Sequence, residues 1–136
     1  MDKNTLIQKA LEARKNSYSP YSKFKVGAAL LTKSGEIYCG ANIENAAYGA
    51  TNCAERTAFF SAVYDGHREF SAIAIAGGAG EEPDNYCYPC GVCRQVMREF
   101  CNPHEFRIII VKSAGCYKEY SLDELLPFGF GPEDLA

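Results

Sequence analysis

Apolar residues recur along the chain at two spacings, one typical of helices and one typical of strands. Between residues 4 and 15, one face of a predicted helix collects four apolar side chains, Leu6, Ile7, Ala10 and Leu11. Two further helices are predicted over residues 53–65, where Gly66 follows as a C-terminal stop, and over residues 91–101. A capping-box pattern that begins at Ser121 predicts a fourth, short helix.

Between the predicted helices lie short segments rich in apolar and β-branched residues. They predict five strands, over residues 26–32, 37–44, 71–76, 107–112 and 117–120. Residues 33–36 join the first two strands as a hairpin turn. Because helices alternate with buried strands after this hairpin, we predict an α/β fold. It is a three-layer α/β/α sandwich with a mixed sheet of about five strands, in a single domain over residues 1–136.

The composition narrows the classes of partner. The chain has 136 residues and a net charge of −3, from 17 acidic and 14 basic residues. Proteins that bind nucleic acid normally carry a basic surplus, so nucleic acid is not a predicted partner. No apolar run approaches the ~18 residues that span a membrane, and the first ten residues lack a secretory apolar core. The seven cysteines, an odd number, predict reduced thiols and a cytoplasmic location.

Three of the cysteines have spacings that favour a metal site. Cys90 and Cys93 are separated by two residues at the start of a predicted helix, so both thiolates can bind one tetrahedral zinc ion. Cys53, at the start of another helix, is the candidate third ligand. Three protein ligands leave a fourth position open, which is typical of catalytic zinc. Glu55 follows Cys53 by two residues and is the candidate acid/base group.

Three thiolates concentrate negative charge, which the surroundings must balance. Both ligand segments begin helices, whose positive N-terminal dipoles stabilise thiolates. Arg56 and Arg94 each follow closely after a candidate ligand and can donate to sulfur. Between a role at the metal and a place on the solvated surface, we favour the first for Arg56.

Two other features bear on the chemistry. Asn42 and Glu44 lie two residues apart on a predicted strand, so their side chains face the same way. Cys87 continues the three-residue spacing of Cys90 and Cys93. If Cys87 were a fourth ligand, the zinc would be structural and the chain a non-catalytic, zinc-stabilised module. That alternative gives no role to Glu55, Asn42 or Glu44.

Taken together, the motifs match a known family. The chain resembles the small homotetrameric cytidine deaminases whose zinc is held by three cysteines. Five segments carry the resemblance in the family's order: YSPYSKFKVGAAL (18–30), NIENAAYG (42–49), CAERTA (53–58), PCGVCRQ (89–95) and LLPFGF (125–130). Because they extend over nearly the whole chain, the resemblance is specific.

The resemblance implies an activity and a quaternary structure. It implies zinc-dependent hydrolysis of cytidine and deoxycytidine to uridine and deoxyuridine, with release of ammonia, in pyrimidine salvage. Cys53, Cys90 and Cys93 would bind one zinc ion per subunit, and Glu55 would carry protons. The subunits would form a homotetramer with shared active sites. Deamination of a cytosine nucleoside antibiotic, or of polynucleotides, is the enzymatic alternative.

The same resemblance assigns the substrate contacts. Phe24 would stack on the pyrimidine, and the backbone N–H of Ala54 would donate to its O2 oxygen. Asn42 and Glu44 would bind the ribose hydroxyls. Two aromatic residues would complete a neighbouring subunit's pocket, Tyr48 and Phe130. The chain departs from the family's pattern before Pro89-Cys90, where Tyr88 occupies the place of a residue that is often small, and its ring could narrow the pocket.

Overall fold

The computed structural model describes residues 2–136 and contains one five-stranded sheet of order β2-β1-β3-β4-β5. Its strands are β1 (Lys25–Thr32), β2 (Ile37–Ala41), β3 (Phe70–Gly78), β4 (Arg107–Ser113) and β5 (Cys116–Ser121). β3 and β4 run parallel, whereas the pairs β1–β2, β1–β3 and β4–β5 are antiparallel. The sheet is therefore mixed, as the sequence predicted.

Four α-helices surround the sheet: α1 (Lys3–Ala13), α2 (Ala54–Tyr64), α3 (Gly91–Phe100) and α4 (Leu122–Leu125). The predicted capping box is present, because the Ser121 side chain accepts from the Glu124 backbone and the Glu124 side chain accepts from the Ser121 backbone. Gly66 has a positive φ of 101°, which suits the residue after a helix. Within residues 2–136, no helix has the length and apolar character needed to cross a bilayer.

The helices pack on opposite faces of the sheet. Alternate residues of β3 point to opposite sides, because side chains alternate along a strand. Ala72, Ala74 and Ala76 contact the buried face of α1, while Ile73 and Ile75 join the cluster formed by α2 and α3. This arrangement confirms the three-layer α/β/α sandwich.

β2 ends earlier than the hydrophobic pattern predicts, at Ala41 instead of residue 44. The Asn42 side chain explains this, because its Oδ1 accepts from the Val26 backbone at 2.9 Å and takes the place of a ladder partner. Beyond it, Ile43 pairs with Tyr18 on one side and with Asn52 on the other. The chain thereby brings three functional segments side by side: residues 18–24, 42–45 and 51–55.

Gly40 sets the distance between β2 and the start of α2. A Cβ at this position would lie 2.4 Å from the Ala54 carbonyl oxygen and 2.6 Å from the Ala58 nitrogen. Only glycine permits so close an approach of helix to strand. The first turn of α2, which contains Glu55, is consequently fixed against the sheet.

Candidate active site

Three thiols converge where α2 and α3 begin. Cys53 and Cys90 are the N-cap residues of the two helices, and Cys93 lies in the first turn of α3. The Sγ atoms of Cys53 and Cys90 are 3.8 Å apart, and all three Sγ atoms lie within 4.8 Å of one another. The fold thus brings together the three cysteines predicted from their spacing.

This group fits a zinc ion. A tetrahedral ion ~2.3 Å from each sulfur requires sulfurs about 3.8 Å apart, and thiolates are among the preferred ligands of zinc. Cys87 lies outside the group, so the thiols form a three-ligand set. The described residues contain another potential metal cluster, Glu36, Asp65 and His67. It offers oxygen and nitrogen ligands instead of thiols, and its His67 Nε2 is engaged with Glu36 at 3.2 Å.

The electrostatics of the thiols favour a thiolate at Cys53. Its pKa is lowered to about 5, first because Cys93 donates a hydrogen bond to it and then because Arg56 donates and lends positive charge. The same hydrogen bond raises the pKa of Cys93, which burial raises further. The contact with Arg56 therefore favours the thiolate form of Cys53.

Arg56 is the arginine that balances this charge. Its Nη2 donates to the Cys53 sulfur at 3.1 Å, and Cys53 and Cys93 together raise its pKa. Its buried Nε has no hydrogen-bond partner among the described residues. Arg94 has a different role, since its Nε donates to the Pro89 carbonyl at 2.7 Å and its Nη1 donates to the Leu125 carbonyl at 2.5 Å.

Glu55 lies in the first turn of α2 with only 4% of its surface exposed. Burial raises its pKa to about 7, and the negative charge of Cys53 adds to the increase. Both the carboxylic acid and the carboxylate are therefore accessible near neutral pH. A buried, non-ligating carboxyl beside a metal site has the properties of a proton carrier.

Glu44 borders a cavity of about 370 Å³. Its lining residues are Tyr21, Ser22, Glu44, Asn45, Tyr48 and Thr51. The carboxylate accepts from the backbone N–H groups of Tyr21 and Ser22 at 3.0 and 3.1 Å, and from the Ser22 hydroxyl. These donors lower its pKa, so it presents a charged acceptor to the cavity.

Asn42 is buried, and its side chain mainly organises the backbone. Its Nδ2 donates to the Phe24 carbonyl at 2.8 Å, and its Oδ1 accepts from the Val26 backbone and from the Ser17 hydroxyl, the latter at 2.5 Å. A primary amide has two N–H donors, so one remains for another partner. Asn42 therefore fixes the backbone beside Phe24 and keeps one donor available.

Phe24 directly precedes β1 and has 40% of its surface exposed, with its ring near Gly77 and Cys87. A Cβ on Gly77 would lie 2.7 Å from the Cys87 sulfur and 3.2 Å from a Phe24 ring carbon. The absence of a side chain at residue 77 thus lets both groups approach the sheet. The ring presents part of its surface to solvent, as a stacking residue must.

The remaining residues predicted to contact the substrate lie at the start of α2 and on the surface. Ala54 opens α2, where the first N–H groups have no partner within the helix. Tyr48 is 77% exposed and packs edge-on against Tyr21, with ring centroids 6.1 Å apart. Phe130 is 56% exposed. Within one chain, these two aromatic side chains have surface available to a neighbouring molecule.

Sequence reasoning missed two residues that shape the site. Ser22 orients Glu44 through its hydroxyl and its N–H, although 22 positions separate the two residues. Tyr120 shares a hydrogen bond with Tyr88, with the two phenolic oxygens 2.7 Å apart. The Tyr88 ring therefore points towards β5. No spacing rule reveals either pair, because both depend on how distant segments meet.

Comparison with known proteins agrees with this geometry. Residues 1–108 match the model of the family described as the cytidine and deoxycytidylate deaminase zinc-binding region. A cytidine deaminase from Sporosarcina psychrophila is 48% identical over 136 residues, with 100% of this chain and 96% of that protein covered. One from Halalkalibacterium halodurans is 47% identical, with 99% and 98% covered. The crystal structure of cytidine deaminase from Burkholderia pseudomallei has a TM-score of 0.87 at 46% identity, covering 96% of this chain and 100% of that one.

Proposed function

The chain belongs to the zinc-dependent cytidine and deoxycytidylate deaminase family, and from this premise we propose that it deaminates free nucleosides. Cytidine and deoxycytidine are the proposed substrates, and uridine or deoxyuridine and ammonia the products. The observation that carries the proposal is the buried Glu55 carboxyl beside three convergent thiols. The reaction serves pyrimidine salvage.

Cys53, Cys90 and Cys93 would hold one zinc ion per chain. When bound, the zinc acts as a Lewis acid that activates the attacking water. Three thiolates reduce this acidity compared with neutral ligands, and Arg56 offsets part of their charge through its hydrogen bond to Cys53. The helix dipoles at the starts of α2 and α3 add to this compensation.

Glu55 moves two protons in turn. As the oxygen of water bonds to C4 of the base, Glu55 accepts one proton and delivers it to N3. It then transfers the remaining hydroxyl proton to the amino group, the C4–N bond breaks, and ammonia leaves. The carbonyl of the product forms at C4, and N3 keeps its proton. Water and cytidine are thereby converted completely into uridine and ammonia.

The other predicted residues would hold the nucleoside. Phe24 stacks on the base and the Ala54 N–H donates to O2. Glu44 accepts from a ribose hydroxyl, supported by Ser22 and Tyr21. Asn42 offers its free N–H to the same sugar while it fixes the Phe24 carbonyl. The net charge of −3 suits a neutral substrate better than a polyanion.

Completion of the pocket requires a second subunit. Tyr48 and Phe130 are exposed in one chain, and we assign them to the pocket of a neighbour in a homotetramer. This assignment explains why large aromatic side chains stay in contact with solvent in the isolated chain.

A direct assay tests the function. Purified protein is mixed with cytidine, and the fall in ultraviolet absorbance is followed together with ammonia release and zinc content. We expect one zinc per chain, turnover of cytidine and deoxycytidine, and loss of turnover after chelation. A single-stranded oligonucleotide serves as the competing substrate. Its deamination in preference to free cytidine, or zinc binding without ammonia release, would overturn the proposal.

A further inference from the structure

The segment that leads into the Cys90 ligand has alternating side chains, as in a strand. We call residues 86–88 the tyrosine strip. Tyr86 and Tyr88 point towards β5, where the Tyr86 hydroxyl lies 3.1 Å from the Cys116 sulfur and Tyr88 shares its hydrogen bond with Tyr120. Cys87, between them, points the other way, against Gly77 beside the active site.

The Tyr88–Tyr120 contact combines a hydrogen bond with ring packing. The phenolic oxygens are 2.7 Å apart, and the ring centroids are 5.7 Å apart at an interplanar angle of 60°. Edge-to-face packing at this distance is favourable in addition to the burial of surface. The Tyr88 ring is therefore held by two kinds of interaction on a strand outside the active site.

Tyr120 is a firm anchor. It pairs with Ile108 in the ladder between β5 and β4, and β4 lies inside the sheet. The next residue, Ser121, is the capping-box residue of α4. A side chain that binds Tyr120, as Tyr88 does, is therefore held in a fixed position relative to the sheet.

Residues 79–90, which lead to Cys90, contain no helix or strand, and Cys90 itself is exposed. Arg14 donates to the backbone carbonyls of residues 80 and 81, at the far end of this segment, and Pro89 is buried. Beside the strip's contacts with β5, the Pro89 carbonyl accepts from Arg94, a residue of the same helix that Cys90 caps. Tyr88, two residues before the ligand Cys90, therefore connects this segment to the sheet. Arg94 does not, because it belongs to the helix that Cys90 itself caps.

We propose that Tyr88 and Tyr120 form a positioning pair that holds the Cys90 thiolate in place for the metal. The inference rests on the proposed metal site. The proposal also explains how the chain accommodates a tyrosine before Pro89-Cys90, because the Tyr88 ring packs against Tyr120 of β5. Neither tyrosine is a catalytic residue, since each acts through the backbone that leads to Cys90.

Zinc release from the holoenzyme provides the test. Wild-type protein, Tyr88→Phe, Tyr120→Phe and the double variant are loaded with zinc, and a chromogenic chelator reports the rate of release. Phenylalanine keeps the ring and removes the hydroxyl, so either single change breaks the same hydrogen bond. We expect about three- to tenfold faster release in each single variant and no further increase in the double variant.

Tyr117→Phe is the matched control, because Tyr117 lies on β5 and its ring contacts Lys3 on α1. Its release rate should equal that of the wild type. Urea unfolding of the metal-free proteins, expected to be unchanged, separates positioning of the ligand from a general loss of stability.

Two results would overturn the inference while the proposed function stands. One is release from both single variants at the rate of the Tyr117→Phe control. The other is a double variant whose acceleration is the product of the two single effects, because the tyrosines would then act independently. A wild-type chain that deaminates cytidine without binding zinc would instead refute the proposed metal site. A wild-type chain that neither binds zinc nor deaminates cytidine would refute the proposed function as well.

Discussion

Glu55 has the environment of an acid/base group, a carboxyl 4% exposed in the first turn of a helix whose N-cap is a candidate metal ligand. Replacing it by glutamine keeps the size and polarity of the side chain but removes its capacity to carry a proton. We expect Glu55→Gln to lower kcat by about 10²–10⁴-fold, since a positioned acid/base group contributes that much. Zinc content and nucleoside binding should be unchanged, as measured by metal analysis and equilibrium titration.

The control for this variant is Glu99→Gln, at an exposed position on α3. It removes a carboxylate without touching the site, and its turnover should equal that of the wild type. Glu55→Gln protein that turns over cytidine normally would refute the proton-carrier role. Loss of its zinc would instead indicate that Glu55 supports the metal.

The environment of Glu44 predicts an effect specific to the sugar. Its carboxylate is charged and oriented by Ser22 and Tyr21 at the edge of the cavity. We expect Glu44→Ala to reduce kcat/KM for cytidine by about 10–100-fold, the range for a hydrogen bond to a charged group. Residual activity on free cytosine, which has no ribose, should change far less. Equal losses on the two substrates would exclude a role in sugar binding.

Among the secondary-structure elements, α2 and α3 share one structural feature, a cysteine at the N-terminus. Each begins with a cysteine at its N-cap, so the same backbone termini present the ligands and help to balance their charge. The two helices lie on one face of the sheet, and their starts meet above it. The position of each helix relative to the sheet therefore decides the geometry of the thiols.

Gly40 offers a way to displace α2 without changing any side chain of the site. In Gly40→Ala, the new methyl group would collide with the Ala54 carbonyl and the Ala58 nitrogen, both backbone atoms. We expect a loss of about 1–3 kcal/mol in the free energy of unfolding, typical of overpacking, together with weaker zinc binding. Urea denaturation and metal titration provide the measurements.

Gly115→Ala is the control for this substitution. A Cβ at Gly115 would meet nothing within 4 Å, so its effect should stay within about 0.5 kcal/mol. Equal stability of the two variants would show that the close approach of β2 and α2 does not constrain the site.

Much of the element-level structure was predictable, because it depends on local signals. The continuous apolar run of β3, the capping box at Ser121 and the Cys90–Cys93 spacing each describe neighbours in the chain. The early end of β2 was not predictable, because Asn42 binds the backbone of another strand. Nor was the direction of Tyr88, which depends on a partner 32 positions away. Sequence patterns report period and spacing, whereas these contacts depend on packing between distant segments.

At the scale of the whole molecule, three exposed aromatic residues bear on the proposed shared pocket. Phe128 is fully exposed, and Phe130 and Tyr48 are exposed by 56% and 77%. Phe130 is not loose, since its carbonyl accepts from the Gln95 side chain of α3 at 2.8 Å. The C-terminal segment is thus attached to the helix that carries two candidate ligands, with its rings directed away from the chain's own core.

If the pocket is shared, two defective chains should restore each other. Glu55→Gln chains lack the proton carrier but keep Phe130, whereas Phe130→Ala chains keep the metal site and Glu55 but lack the ring offered to a neighbour. Each alone should have low activity, and mixing after mild dissociation should assemble sites with Glu55 from one chain and Phe130 from the other. We expect the mixture to recover a substantial part of wild-type kcat/KM, measured with cytidine and accompanied by sedimentation of the hybrid. Mixed oligomers that stay as inactive as their parents would mean that each pocket is built from one chain alone.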